Sequence, residues 1–267
     1  MSVKTFLFVP GNRPERFDKA CAAGADAVIL DLEDAVAPPG KDAARDAVRR
    51  WLEEGGRAWL RVNGTDTPWH DGDLALLALS GVVGVLLPKA EHPDELQALS
   101  RHMRAGTPLV PLVETALGLW NARELASVAG VQRLAFGSVD FQVDLSIQGD
   151  RDELLFARSQ LVLASRVAGV LPPVDGVTVG IDDDDILQAD VARARRLGFG
   201  GKLCIHPRQV PAVQAGFRPS AADLEWARRV IQAADAAGQD AVRVEGKLVD
   251  KPVIDRARAL LQEAATA

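Results

Sequence analysis

Tyrosine is absent from this chain of 267 residues, and cysteine, methionine and histidine occur only two, two and four times. Acid–base chemistry must therefore rest on carboxylates, lysine, arginine or the few histidines. Cys21 and Cys204 each lie in an apolar stretch, which excludes a disulfide framework and a cysteine-rich zinc site and suits a reducing, cytoplasmic compartment. No HxH, HExxH or CxxC pair occurs, so a histidine-rich zinc site has no support either. No apolar run approaches the ~18 residues of a membrane span. The opening Met1–Arg16 holds one short apolar run and then Pro-Gly-Asn-Arg, so no signal peptide is expected. No GxGxxG follows an apolar run, which weakens a dinucleotide-binding reading. Positive charge is also in deficit: the net charge of −6 argues against duplex nucleic acid or an anionic membrane as a partner.

What is present is ordinary for a folded chain, 48% hydrophobic and 25% charged. The apolar runs are short, β-branched and evenly spaced: Thr5–Pro10, Ala27–Leu32, Ala58–Asn63, Gly84–Lys89, Pro108–Glu114, Arg133–Ser138, Gly176–Ile181 and Lys202–Pro207. Such near-continuous runs suit parallel strands buried on both faces. Amphipathic segments lie between them, with Leu74, Leu77 and Ala78 as one stripe and Leu155, Ala157, Leu161 and Ala164 as another. Pro14 and Pro93 open helical first turns, and Gly24, Gly106, Gly130, Gly169 and Gly198 stand where helices stop. The alternation predicts an α/β fold, a (β/α)8 TIM barrel with additional C-terminal helices near Ala221–Ala237 and Pro252–Ala265. A polar connector, Gly238–Lys251, separates those helices. An open doubly wound sheet is the alternative. The expected organisation is a barrel domain over 1–217 and a helical extension over 218–267.

Either architecture places chemistry at the carboxyl ends of the strands. Ionisable and polar residues collect there: Asn12 and Arg13, then Asp31, Glu33 and Asp34, then Arg61 and Asn63, then Lys89, Glu114, Ser138, Asp140 and His206. Unpaired charge beside a core is costly, so the set must neutralise itself or hold an ion. Glu114 and Asp140, at the ends of neighbouring strands, suit Mg2+, a hard cation that takes oxygen ligands and keeps waters. Glu33 and Asp34 would order those waters from behind. Arg61 is a fixed cation that needs a carboxylate or a substrate oxygen. Lys89 offers a rival chemistry, a Schiff base with a carbonyl substrate. His206 is read as an end-of-strand residue rather than a ligand, and His70, His92 and His102 as exposed. Lys202 begins a strand, on the face that serves stability. The run Asp182–Asp185 compensates the dipole of the helix it opens.

In order along the chain, FVPGNRPERF, AVILDLEDAV, LRVNG, LLPKAE, PLVETALG, AFGSVDFQVDL, GKLCIHPRQV and GKLVDKPVIDRARALL resemble the HpcH/HpaI aldolase–citrate lyase family, nearest its CitE-like branch of citrate lyase β-subunits and CoA-ester lyases. The resemblance implies a Mg2+-dependent barrel enzyme, a carbon–carbon lyase that reversibly cleaves a 3-hydroxyacyl-CoA into a short acyl-CoA and a 2-keto acid through a thioester enolate. Glu114 and Asp140 are the implied metal ligands, with Glu114 also touching substrate. Arg61 is the implied catalytic arginine at the thioester carbonyl. Phe8, Arg13 and Lys19 are the implied acyl-CoA contacts. Asp250 is the implied acid, delivered from an adjacent subunit of a homotrimer or dimer of trimers. Ser146 departs from the glycine common at its position. Three alternatives stay open: a citrate lyase β-subunit acting on a citryl thioester of a carrier protein, a CoA-independent keto-acid aldolase of the same superfamily, and a non-catalytic or regulatory acyl-CoA-binding protein.

Overall fold

The computed structural model describes residues 3–236, 242–244 and 246–266. Eight parallel strands close into a barrel: β1 (Thr5–Pro10), β2 (Ala27–Asp31), β3 (Ala58–Arg61), β4 (Val82–Leu87), β5 (Leu109–Val113), β6 (Ala135–Phe136), β7 (Val174–Asp175) and β8 (Gly201–Cys204). Each pairs with the next, and β8 returns to β1. The predicted barrel is therefore present. Its helices are α1 (Phe17–Cys21), α2 (Lys41–Glu53), α3 (His70–Leu74), α4 (Pro93–Ser100), α5 (Ala116–Trp120), α6 (Ala122–Ala126), α7 (Ser138–Asp144), α8 (Leu155–Ala168), α9 (Asp184–Leu197) and α10 (Gln209–Gly216). No helix among the described residues is long and apolar enough to cross a membrane.

Side chains fill the barrel. Phe6 and Trp59 meet edge to face with centroids 5.5 Å apart, among Ile29, Leu86, Leu112 and Leu203. At the amino-terminal end, Asp26 accepts hydrogen bonds from the backbone N–H groups of Lys4 and Thr5 and from the Thr5 hydroxyl, each 2.9 Å. That lock fixes β1 against β2 and so sets the register higher up, where Pro10 lies beside Asp31 and Asp31 beside Arg61.

Three local expectations need correction. The seventh strand is Val174–Asp175, earlier than the run Gly176–Ile181. Beyond Asp175 side chains replace the ladder: Thr178 donates to Asp190 at 2.7 Å, and Gln209 Nε2 donates to the carbonyl of Thr178 at 2.8 Å. The stripe Leu74, Leu77 and Ala78 is not one helix, since α3 ends at Leu74 and turns follow, burying Leu76 and Leu77. In the second stripe Ala157, Leu161 and Ala164 are buried as expected, but Leu155 faces outward.

The chain divides into two compact units, Val3–Gln214 and the residues from Ala215 on. The second unit contains α11 (Ala221–Ala236), the antiparallel hairpin β9 (Val242–Val244) and β10 (Lys247–Val249), and α12 (Lys251–Thr266). Ala227, Val230 and Ala234 pack with Val249, Ile254 and Ala257 into its own small core. Of the predicted helix end and connector, 237–241 and 245 lie outside the described residues.

Candidate active site

Arg61 ends β3 and is the centre of a charged cluster. Its Nε and Nη2 donate to the two carboxylate oxygens of Asp31 at 2.7 and 2.6 Å, a bidentate fork set by the β2–β3 register. Its Nη1 faces Glu33 Oε2 at 3.0 Å, and its guanidinium lies over the Phe8 ring at 4.7 Å. The anions that Arg61 requires are thus protein carboxylates. Burial pulls the Arg61 pKa down, but Asp31, Glu33 and Glu114 outweigh it and leave the guanidinium above its ordinary value.

Glu114 follows β5 directly and is buried. Its Oε1 accepts from the backbone N–H of Lys89 at 2.7 Å. Lys89 adopts φ +46°, the left-handed region that non-glycine residues seldom occupy, and this turns its N–H toward Glu114. On the other side stands Gly137, where any Cβ would collide with the Glu114 carboxylate. Burial and the nearby charge of Asp140 push the Glu114 pKa up to about 8. Asp140 is not on a strand but in the first turn of α7, after β6; its pKa is also raised, by burial and by Asp34. Glu33 is raised chiefly by burial, with Arg61 opposing and Asp34 and Asp31 reinforcing.

These groups converge on a cavity of about 350 Å3 at the carboxyl ends of the strands, lined by Phe8, Asp34, Arg61, Glu114, Ser138 and Asp140 among others. The cavity wall is apolar elsewhere, with Leu112, Phe136, Val177 and Leu203. Two carboxylates that burial and neighbouring carboxylates drive toward protonation form a site that a cation relieves. No cluster of three or more His, Cys, Asp or Glu with metal-ligand geometry occurs among the described residues. The carboxylates that line the cavity are hard oxygen donors, of the kind that suits Mg2+, an ion that retains several waters.

Sequence reasoning missed Lys41. This buried lysine opens α2 and donates from Nζ to the carbonyls of Leu32 and Glu33, both at 2.8 Å, and to Asn63 Oδ1 at 2.6 Å. It also sits 5.2 Å from the Trp69 ring centroid. Burial lowers its pKa against the pull of Glu33 and Asp31. Asn63 in turn donates to Asp73 at 2.7 Å, and Asp73 accepts from Arg45 at 2.7 Å. A lysine in a first helical turn opposes the helix dipole, and that was the available signal.

Other expected residues fall outside this cluster. Arg13 and Lys19 are exposed, and Arg13 Nε pairs with Glu15 at 2.6 Å. Asp250 lies in the second unit, just before α12. His206 accepts from the Arg208 N–H in a turn, and His92 caps α4. His70 is half-buried rather than exposed, with Nδ1 2.8 Å from the Asn63 carbonyl oxygen. Lys202 is buried, donating to the Gly176 carbonyl at 2.6 Å. Cys21 is exposed and Cys204 buried; both are free thiols. Ser146 stands at φ +56°, a conformation that glycine adopts without strain.

The sequence model of the HpcH/HpaI aldolase/citrate lyase family matches residues 4–207. A citrate lyase subunit beta-like protein of Deinococcus radiodurans is 37% identical over 285 residues, covering 98% of each chain. A (3S)-malyl-CoA thioesterase of Cereibacter sphaeroides is 37% identical over 270 residues, covering 98% of this chain and 94% of its own. Among solved structures, Mycobacterium tuberculosis CitE in complex with magnesium, acetoacetate and coenzyme A superposes with a TM-score of 0.88 at 37% identity, covering 99% of this chain and 98% of that one.

Proposed function

Because the chain belongs to the HpcH/HpaI aldolase/citrate lyase family, we propose that it is a Mg2+-dependent carbon–carbon lyase that cleaves a malyl-, citramalyl- or citryl-CoA-like 3-hydroxyacyl-CoA, reversibly, into a short acyl-CoA and a 2-keto acid. The observation that carries this reading is the placement of a fixed cation, Arg61, on the same cavity as buried Glu114 and half-buried Asp140. Glu114 and Asp140 would hold Mg2+, which when bound would supply Lewis acidity toward the substrate's hydroxyl and neighbouring carboxylate. Glu33 and Asp34 would support that pair from behind.

The chain's own groups do the rest. Asp250, from an adjacent subunit, takes the hydroxyl proton. The C–C bond breaks, its electron pair forms the enolate of the thioester, and the keto acid leaves. Arg61 stabilises the enolate oxygen, an effect of the kind worth about 3–4 kcal/mol per donor. Asp250 then returns its proton to the α-carbon, which completes the short acyl-CoA. Phe8, Arg13 and Lys19 hold the acyl-CoA. Similarity to M. tuberculosis CitE, solved with magnesium and coenzyme A, supports this ligand set.

A second reading, thioester hydrolysis, is favoured by the similarity to the (3S)-malyl-CoA thioesterase. One assay separates the two. Purified protein is incubated with malyl-, citramalyl- and citryl-CoA, with Mg2+ or with excess chelator, while keto acid and free CoA thiol are measured in parallel. The lyase releases keto acid without thiol; a thioesterase releases thiol without keto acid. Neither product from any ester leaves a non-catalytic acyl-CoA-binding protein. Turnover only with a carrier-protein thioester assigns the chain to a citrate lyase complex.

A further inference from the structure

Glu114 and Asp140 reach the cavity from different elements. Glu114 follows β5, whereas Asp140 stands in the first turn of α7. The ladder between β5 and β6 fixes their spacing only as far as Gly137, whose N–H donates to the Val113 carbonyl at 2.9 Å. Beyond Gly137 the chain turns into α7 and leaves the sheet. At the far end of that helix a second bond returns to the β5 segment. The backbone N–H of Ala116 donates to Asp144 Oδ2 at 2.7 Å. Glu114 lies between the two fastening points, one residue after Val113 and two before Ala116. Asp144 follows Asp140 by four residues, so the two carboxylates share one face of α7.

An aspartate has the wrong charge for its own helix at this position. Asp144 is the last residue of α7, where the helix carbonyls repel an anion. Nor does α7 need it to end. Ser146 at φ +56° and the Ile147 N–H, which donates to the Gln142 carbonyl at 2.9 Å, already close the helix in a left-handed cap. Helix α5 has its own cap too, since Thr115 Oγ1 accepts from the Gly118 N–H at 3.0 Å. What Asp144 adds is a short, charge-assisted bond between the two elements. We propose that Asp144 is a positioning residue: its bond to the Ala116 N–H fixes the spacing of Glu114 and Asp140 and thereby sets the affinity of that pair for Mg2+. The proposal rests on the reading of Glu114 and Asp140 as the metal's ligands and assigns the residue that holds them in register. Glu114 has a further anchor of its own in the Lys89 N–H. Asp140 is placed by the helix that carries it, so a swing of α7 about Gly137 would take its carboxylate away from Glu114.

The test reads Mg2+ affinity on the full chain without substrate, by calorimetric titration and by the rise in melting temperature across a Mg2+ series. Asp144→Ala is expected to weaken Mg2+ binding roughly 10-fold or more. Asp144→Asn keeps an oxygen for the Ala116 N–H and is expected to recover most of that loss. Ala116→Pro removes the donor instead. Proline suits a first helical position, and Thr115 already has the extended backbone that a following proline requires, φ −135° and ψ 162°. Its expected loss is similar, and the double variant should lose no more than either single one, because both remove the same bond. Asp144 is exposed, so its replacement strands no buried charge; should Ala116→Pro fail to fold, the two Asp144 variants decide. Parental Mg2+ affinity in Asp144→Ala, with only the melting temperature in excess chelator lowered, makes Asp144 a structural cap and overturns the proposal. Losses that multiply in the double variant, or an Asp144→Asn as weak as Asp144→Ala, overturn it as well. A parent that binds no Mg2+ overturns the reading beneath it too.

Discussion

Glu114 is a buried carboxylate that shares its cavity with a second carboxylate, Asp140, and the consequence is a pH dependence with a definite sign. Its pKa rises from 4.5 to about 8 on folding, chiefly by burial and then by Asp140. Between those values the folded chain holds a proton that the unfolded chain has released, so stability without metal falls as pH rises through that window, by about 1.4 kcal/mol per pH unit at most. Glu114→Gln removes the titration and keeps an oxygen to accept from the Lys89 N–H. In excess chelator the variant is therefore expected to melt above the parent at pH 8.5 and close to it at pH 5. Mg2+ should stabilise the parent at the higher pH and leave the variant unmoved. A melting difference that is the same at both pH values contradicts this account. Lys89 raises a separate question. A Schiff-base lysine needs a depressed pKa to be nucleophilic near neutrality. Burial acts on Lys89 in that direction, but Glu33, Asp34 and Glu114 outweigh it and raise its pKa. Borohydride in the presence of pyruvate, glyoxylate or oxaloacetate is expected to leave the protein mass unchanged; a reduced adduct at Lys89 would establish the rival chemistry.

At the scale of elements, the site is a set of strand ends held at fixed spacing, and Lys41 is the residue that ties two of them together. Its ammonium bridges the carbonyls of Leu32 and Glu33, beyond β2, to Asn63, beyond β3. Lys41→Met leaves three buried acceptors without their donor. The expected cost is about 2–4 kcal/mol, together with roughly 10- to 100-fold in turnover as Glu33 loses its anchor. Calorimetry and steady-state kinetics check both, and Lys41→Arg should recover part of the turnover. Normal turnover in Lys41→Met would show that Glu33 is positioned by other means. The same elements show what the sequence makes legible. Strands buried on both faces must be continuous apolar runs, and a run that finishes in Arg61 or Glu114 exposes its chemistry because a charge at the end of a buried strand is costly unless it has a partner or a task. Asp140 is readable for the same reason, although its helix is not. Lys41 is hidden because a lysine in a helix reads as solvated surface, and only the folded chain shows three acceptors around it. β7 is hidden differently. Val177 and Val179 mimic a strand, while Asp175 is drawn into the barrel by Arg158 at 2.9 Å, and the ladder stops there.

At the scale of the molecule, the proposed base belongs to a different compact unit from the rest of the site. Asp31, Arg61, Glu114 and Asp140 all belong to Val3–Gln214, whereas Asp250 stands between β10 and α12 in the second unit, whose core is its own. A carboxylate on a separately packed unit can serve a neighbouring copy as readily as its own barrel, and closed oligomers offer every copy the same neighbour. Complementation between two inactive variants tests this. Asp250→Asn supplies one parent. Arg61→Ala is a poor choice for the other, because it strands Asp31 and Glu33 as buried carboxylates without their cation, at about 3–5 kcal/mol. Asp140→Asn is better, since Asp140 is half-buried and its charge already opposes that of Glu114. Each parent alone is expected to be inactive in 3-hydroxyacyl-CoA cleavage. When the two are mixed under conditions that exchange subunits, a neighbour's intact Asp250 meets an intact Asp140 in a fraction of the sites, and activity returns. For a trimer with one donor direction and equal mixing, that fraction is about one quarter of all sites under random assembly. If exchange is confirmed by mass and the mixture stays inactive, Asp250 serves its own barrel and the assembly is not required for chemistry.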